Sequence, residues 1–262
     1  MKAIIIAAGR GKRMEEMTDD KPKCLLEFNG VKLLDIQLEA LRANGIKDVS
    51  IITGYKREKI RYPGLKYYVN ERYKHNNILH SLFYAEDEMD GDFIATYSDI
   101  IFDKSVVGAL MESTADISIV VDIDWRKSYK GRHGHPIGEA ENVFFNLHKN
   151  VVSIGKMMQN KDKAQGEFIG MLKCSTRGAV IFREHFKKLK KNYTGKPFQA
   201  TKVFENAYIT DMVQDLVDSG IRVHCVNIRG GWMEIDVVDD YKKATRKLRV
   251  RRETVKAHDN QA

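Results

Sequence analysis

An apolar run, KAIIIAA at residues 2–8, passes directly into GRGKRM at residues 9–14. This junction constrains the fold more than any other stretch. The run reads as a first strand, and the glycines at 9 and 11 let the backbone behind it turn tightly and expose N–H groups. A loop of that kind approaches anionic oxygens without a Cβ in the way. Arg10, Lys12 and Arg13 add positive charge to it, and Lys21 and Lys23 follow around Pro22, which stiffens the chain. Taken singly, each base is an ordinary surface charge. In this order behind a strand, they read as a phosphate-binding device in which Arg offers a planar fork and Lys a mobile point charge.

The rest of the chain repeats a strand and helix alternation that argues for βα units and a mainly parallel sheet. VKLLDIQLEALRANG carries helical spacing and stops at Gly45, DVSIITG is a second strand, and HSLFYAEDEM reads as a helix. DFIATYSD is a strand ending in acid, VVGALMEST a helix and ADISIVVDID a further buried strand. Residues 125–166 look different, polar and glycine-containing with short strand-like pieces, and read as an inserted β-rich flap. A helix around ITDMVQDLVDSG, a strand IRVHCVNI and a basic C-terminal helix and tail at 242–262 complete a single domain over 1–262. No internal repeat or long low-complexity linker interrupts it. Ligands of open α/β sheets bind beyond the carboxyl ends of strands, where AAGRG, TGY and YSD all lie.

Two better-known glycine loops are excluded. The dinucleotide fingerprint GxGxxG fails at Met14, and the P-loop fails because its first glycine is absent and GK is followed by Arg13. Three cysteines, far apart and without a CxxC pair, indicate neither a disulfide framework nor a zinc site. The N-terminal run is too short for a signal peptide and no segment approaches a membrane span, so the expected location is cytoplasmic and no membrane partner is expected. The net charge of +8 is concentrated in HFKKLKKNYTGK and YKKATRKLRVRRETVK, which read as solvated helical faces. Nucleic acid is therefore not the expected partner.

The ordered set AAGRGKRM, PKCLLEFNGVKLLDIQLEAL, ITGY, NNILHSL, YSDI and GWMEIDVVDDY resembles the superfamily of sugar-phosphate nucleotidyltransferases, MobA-like proteins and phosphocholine cytidylyltransferases. The resemblance runs through most of the chain. It implies a glycosyltransferase-A-like (Rossmann-like) α/β fold, a mainly parallel sheet flanked by helices with a small β-rich flap insertion. NNILHSL and MEIDVVDDY point within the superfamily to the phosphocholine, 2-aminoethylphosphonate and phosphoglutamine cytidylyltransferases. The implied reaction transfers CMP from CTP to a small phosphate or phosphonate acceptor, with Mg²⁺ as cofactor and pyrophosphate as leaving group.

Position by position, the resemblance implies that the backbone of Ala7, Ala8, Gly9 and Gly11, with Arg13, holds the triphosphate. It sets Lys23 near the reacting α-phosphate, which makes Lys23 and Arg13 the expected catalytic residues. Gly54, Tyr55, Asn77 and Ser81 lie where base or ribose is contacted. Asp99 and Asp236 would hold Mg²⁺, and Glu234 would assist directly or through water. Mg²⁺ prefers hard oxygen ligands and keeps several waters, so one or two carboxylates and substrate phosphates suffice. The nucleophile is already anionic and needs no general base, in keeping with a sequence that has no convincing Ser/His/Asp or Cys/His constellation.

Acceptors of this branch carry a small head group, often an amine, and Trp125, Glu167, Asp211 and Trp232 are aromatic or acidic residues in segments expected near that pocket. Each has a plainer reading beside it: a lone Trp belongs in a core, and Asp211 in ITDM suits a helix cap. His133 and His135 in RHGH read as flap residues, because two alternating histidines lack a third ligand. Two other functions stay open at this point. One is a sugar-1-phosphate nucleotidyltransferase using UTP, dTTP or GTP; the other is a non-catalytic, nucleic-acid-binding protein that uses the basic tail. A homodimer is left open.

Overall fold

The N-terminal apolar run forms strand β1 (Lys2–Ala7), buried from Ala3 onward. A computed structural model describes residues 1–132, 134–156, 158 and 160–259 of the chain. Along β1, Ile4 and Ile6 pack into one core layer while Ala3, Ile5 and Ala7 pack into the opposite one. That is the period-two pattern of a strand covered on both faces. After it come a small hairpin of β2 (Glu27–Phe28) and β3 (Val31–Lys32), α1 (Leu33–Ala43), β4 (Asp48–Thr53), β5 (Leu65–Val69), α2 (Ile78–Leu82) and β6 (Phe93–Tyr97). The chain continues through β7 (Ile100–Phe102), α3 (Lys104–Met111), β8 (Ile117–Asp122), β9 (Asn142–Phe145), β10 (Val151–Gly155) and β11 (Gly166–Cys174). It ends with α4 (Thr176–Tyr193), α5 (Ile209–Asp218), β12 (His224–Ile228), β13 (Trp232–Glu234) and α6 (Val238–Asp259).

Among the described residues, nine strands make one mixed sheet. Its parallel block runs β5, β4, β1, β6. β11 pairs antiparallel to β6, and there the sheet forks, with β8 and β12 on one branch and β9 and β10 on the other. The fork requires a break in β11. Its register with β8 shifts between Phe168 and Leu172, and Gly170 inside this bulge has φ 83° with the Tyr97 ring directly against it. Helices α1 and α3 cover one face of the sheet, α2, α4 and α5 the other. The expected fold class, a mainly parallel core flanked by helices, is what the chain adopts.

Residues 125–166 supply β9 and β10, and both extend the main sheet; the segment otherwise contains 3-10 turns at Trp125–Lys127, Ile137–Glu139 and Lys161–Lys163. HSLFYAEDEM, read as one helix, is α2 followed by a 3-10 segment, Phe83–Glu88, kinked at Ala85. Glu88 at its end is buried against Tyr68, Lys2 and Lys66, contacts that a continuing helix would forgo. Cys24, Cys174 and Cys225 are buried free thiols. Among the described residues no helix is long and apolar enough to cross a membrane.

Candidate active site

The loop after β1 and the loop after β4 lie side by side. Tyr55 N donates to the Ala8 carbonyl at 3.0 Å, and Gly54 backs so closely on that carbonyl that a Cβ there would stand 2.7 Å from it. Gly11 takes φ 67°, and a Cβ on it would lie 2.9 Å from Cε of Lys23, so this glycine opens the passage for the lysine stem. Beside the loop is a cleft of about 520 Å³ lined by Arg10, Gly11, Lys12, Tyr55, Tyr73 and Lys74. Arg10 lies 5.5 Å from the Tyr55 ring centre, and the Tyr55 hydroxyl donates to the Asp19 carbonyl.

At the far side of the loop, β13 pairs antiparallel with β7, which sets Glu234 opposite Ile100. Ile235 N then donates to the Asp99 carbonyl at 2.8 Å, so Asp236 comes to rest near Asp99. Lys23, only 7 % exposed, joins them: its Nζ donates to Asp236 Oδ1 at 2.9 Å and to Asp99 Oδ2 at 3.2 Å. Burial by itself would lower the lysine pKa, but Asp99 and Asp236 outweigh it and the net movement is upward. Lys23 is therefore charged. Arg13 Nη1 sits 2.6 Å from Asp236 Oδ2 and donates to Glu139 Oε2 at 2.8 Å. His135 Nδ1 is 2.9 Å from Asp236 Oδ2 and 3.8 Å from Glu234 Oε2.

Burial is the largest single influence on Asp236 and pushes its pKa up, yet His135, Lys23 and Arg13 together hold the carboxyl well below the usual range. Glu234 moves the other way. Burial raises it even though Arg132 donates to its Oε2 at 2.9 Å. The same arginine grips Asp240, whose Oδ2 accepts from the backbone N–H of Asp236 and Val237, so Arg132 fastens the 125–141 region to the start of α6. Among the described residues, His135, Glu234 and Asp236 form a group whose ligand atoms all lie within 4.8 Å of one another and could hold a metal ion. His133 lies outside the described residues.

Next to these carboxylates is a small, partly open pocket of about 20 Å³ walled by Tyr97, Glu141, Lys156, Glu167, Trp232 and Glu234, among others. Glu167 accepts a short hydrogen bond from the Tyr129 hydroxyl, and Trp232 Nε1 donates to Asp122 Oδ2 at 2.8 Å. Trp125 does not reach this cavity. It is 1 % exposed and fills a small core with Tyr129, Ala140 and Ala164, with the Arg126 guanidinium 4.4 Å from its ring centre. Asp211 is also absent from the cavity wall: its Oδ2 accepts from Tyr208 N at 2.7 Å and caps α5, the plainer of its two readings. Ser81 is buried with its hydroxyl accepting from Asn70, and Asn77 Nδ2 donates to the Asn206 carbonyl, so neither side chain lines the open cleft.

The structure thus converges Arg13, Lys23, Asp99, Glu234 and Asp236, with Glu167 and Trp232 on the adjoining cavity. Sequence reasoning missed Arg132, Glu139, Glu141 and Lys156, and it read His135 as a plain flap residue. For all of these but Lys156 the available signal was the density of charge within the polar segment RHGHPIGEAE.

Known proteins resemble this chain in sequence and in architecture. The MobA-like NTP transferase domain matches residues 3–161. The CTP:phosphoglutamine cytidylyltransferase of Campylobacter jejuni is 30% identical over 251 residues, covering 92% of this chain and 97% of that protein. The choline-phosphate cytidylyltransferase of Streptococcus pneumoniae is 36% identical over 118 residues, 44% of this chain and 52% of its own. In three dimensions, the CTP:phosphocholine cytidylyltransferase from Streptococcus pneumoniae superposes with a TM-score of 0.72 at 23% identity, covering 94% of this chain and 98% of that one, a likeness of fold. The loop after β1 lies inside the matched domain, and the full-length relative extends the match across β11 and β13, so the chain belongs to the MobA-like NTP transferase family.

Proposed function

We propose that the chain is a cytidylyltransferase that moves CMP from CTP to a small phosphate or phosphonate acceptor of the phosphoglutamine, phosphocholine or 2-aminoethylphosphonate type. The observation that carries this reading is the position of Lys23. Its buried ammonium lies between Asp99 and Asp236, at the seam between the glycine loop and the carboxylate-lined cavity. An anionic acceptor oxygen attacks the α-phosphorus, a new P–O bond forms, and the bond to the β-phosphate breaks with pyrophosphate as leaving group. The attacking oxygen brings its own charge, so the residues have no proton to remove. Their work is positioning and neutralisation, which fits backbone N–H groups at the loop and the cations Arg13 and Lys23.

The donor set also fits Mg²⁺. Glu234 and Asp236 present hard oxygens within 4.8 Å of each other and of His135, Asp99 adds another across Lys23, and Asp236 is held ionised by its neighbours. When bound there, Mg²⁺ would neutralise charge on the phosphates. Incubation with Mg²⁺, the four NTPs or dTTP, and a panel of phosphoglutamine, phosphocholine, 2-aminoethylphosphonate and sugar-1-phosphates tests the reading through pyrophosphate release. Release with CTP and one small phospho-acceptor is the expected result. Release only with a sugar-1-phosphate, or with none of the panel, would sink it.

A further inference from the structure

The cavity beside Asp236 contains an arrangement that a cationic head group alone does not explain. Glu167 is 4 % exposed; its Oε1 accepts from Tyr129, while Oε2 is buried without a hydrogen-bond partner among the described residues. Leaving a buried carboxylate oxygen unmatched costs about 1–3 kcal/mol or more, so the position calls for a donor from outside the chain. A ligand ammonium would supply one. Lys156 shares the same cavity. Its Nζ is 3.3 Å from Glu141 Oε1 and 4.4 Å from the centre of the Tyr208 ring, a pair of contacts that fixes the ammonium in place. An ammonium has three donors, and one carboxylate oxygen does not exhaust them.

A purely cationic acceptor gains nothing from a partly buried lysine in its pocket and is repelled by it. We propose that this cavity reads a zwitterionic, amino-acid-like acceptor head, with the ligand ammonium bound to Glu167 and the ligand carboxylate to Lys156, which Glu141 holds in place. The inference rests on the cytidylyltransferase reading and narrows its acceptor to the amino-acid class. Lys156 is then the residue that separates an amino-acid acceptor from an amine of similar size.

Calorimetric binding to the full chain, with Mg²⁺ and a non-hydrolysable CTP analogue present, tests the assignment with two probes: phosphoglutamine, and the same compound without its α-carboxylate. The wild type is expected to bind the first about 30-fold more tightly, the size of one charge-assisted hydrogen bond. Lys156→Met should bring that preference to within about threefold, while Lys156→Arg should retain most of it and Glu167→Gln should weaken both probes by about tenfold. A wild-type preference near one, or a preference that survives Lys156→Met, overturns the proposal, and the wild-type ratio decides even if a variant does not fold. Pyrophosphate release is measured in parallel. Discrimination in binding without release would overturn the transferase reading alone, and release without discrimination would overturn the zwitterion alone.

Discussion

The glycine loop and the acceptor-side cavity both carry charge, but in opposite physical settings. At the loop, Arg10 and Lys12 are exposed to water, where cations cost little to maintain and remain free to rearrange around an incoming polyphosphate. In the cavity, Glu141 and Glu167 are buried and Lys156 is partly so, and burial is the largest influence on each. It raises both carboxyls, and it opposes a net rise at Lys156 that comes chiefly from Glu141. Groups of that kind are fixed in place before a ligand arrives and interact strongly with it. One region therefore binds by adaptable charge and backbone, the other by prepositioned polar groups. Lys23 stands on the seam between them, buried like the second region but reached through a glycine of the first.

The largest expected effect tests that seam. Lys23→Ala should lower turnover by about 10²–10³-fold, the usual consequence of removing one charge from an electrostatic site, while the circular dichroism of the fold persists. A near-normal rate of pyrophosphate release would show that Lys23 does not join the two regions. A paired glycine experiment separates them further. Gly170→Ala forces a Cβ against the Tyr97 ring at positive φ, so about 2–3 kcal/mol of stability should be lost in denaturant unfolding. Gly9→Ala meets no atom within 4 Å and should leave stability within about 0.5 kcal/mol of wild type, while weakening CTP because its methyl group intrudes where the anion approaches. Equal melting of both variants would erase the distinction.

The two regions also differed in what the sequence made legible. KAIIIAAGRGKRM is contiguous, so strand, turn and charge can be read together without knowing the fold, and β1 with its loop forms as expected. Asp99 and Asp236 are brought together by the pairing of β7 with β13, a long-range contact that no spacing rule encodes; only the family resemblance pointed to them. Glu141 and Lys156 were invisible for the same reason. They lie in a polar segment without periodicity, and they meet because β9 and β10 join the sheet beside a bulge at Gly170. Trp125 and Asp211 show the converse hazard. A large aromatic and an acid suggested ligand contacts, yet the structure uses the first to fill space behind Tyr129 and the second to cap a helix.

The buried half predicts an unusual pH response. Burial raises the Glu167 carboxyl well above its ordinary value, so the folded state holds this proton more tightly than the unfolded state. Stability from this group is then complete below the unfolded carboxyl pKa of about 4.3 and falls as pH rises from there toward the folded value. Glu167→Gln keeps an oxygen for Tyr129 and removes the ionisation. The variant should be more stable than wild type by about 1–2 kcal/mol at neutral pH, with the advantage shrinking toward pH 4. Urea unfolding at several pH values reads this directly, and an advantage that does not change with pH would mean that Glu167 is not a penalised buried acid.

The smallest effect belongs to the exposed half and should behave differently in salt. Arg10 reaches Asp19 at 3.2 Å and lies over Tyr55, with about half of its side chain in water. Arg10→Ala should leave unfolding unchanged to within about 0.5 kcal/mol, because an exposed ion pair of this geometry contributes little. Its effect should appear in CTP affinity as a loss of about threefold at low ionic strength that nearly disappears at 1 M salt, where screening acts over about 3 Å. Lys156→Met, by contrast, should change acceptor affinity with little dependence on salt, since its partner and ligand are shielded from bulk ions. If the two variants respond to salt alike, exposure is not what divides the two halves of the site, and the contrast between adaptable charge and prepositioned polar groups fails.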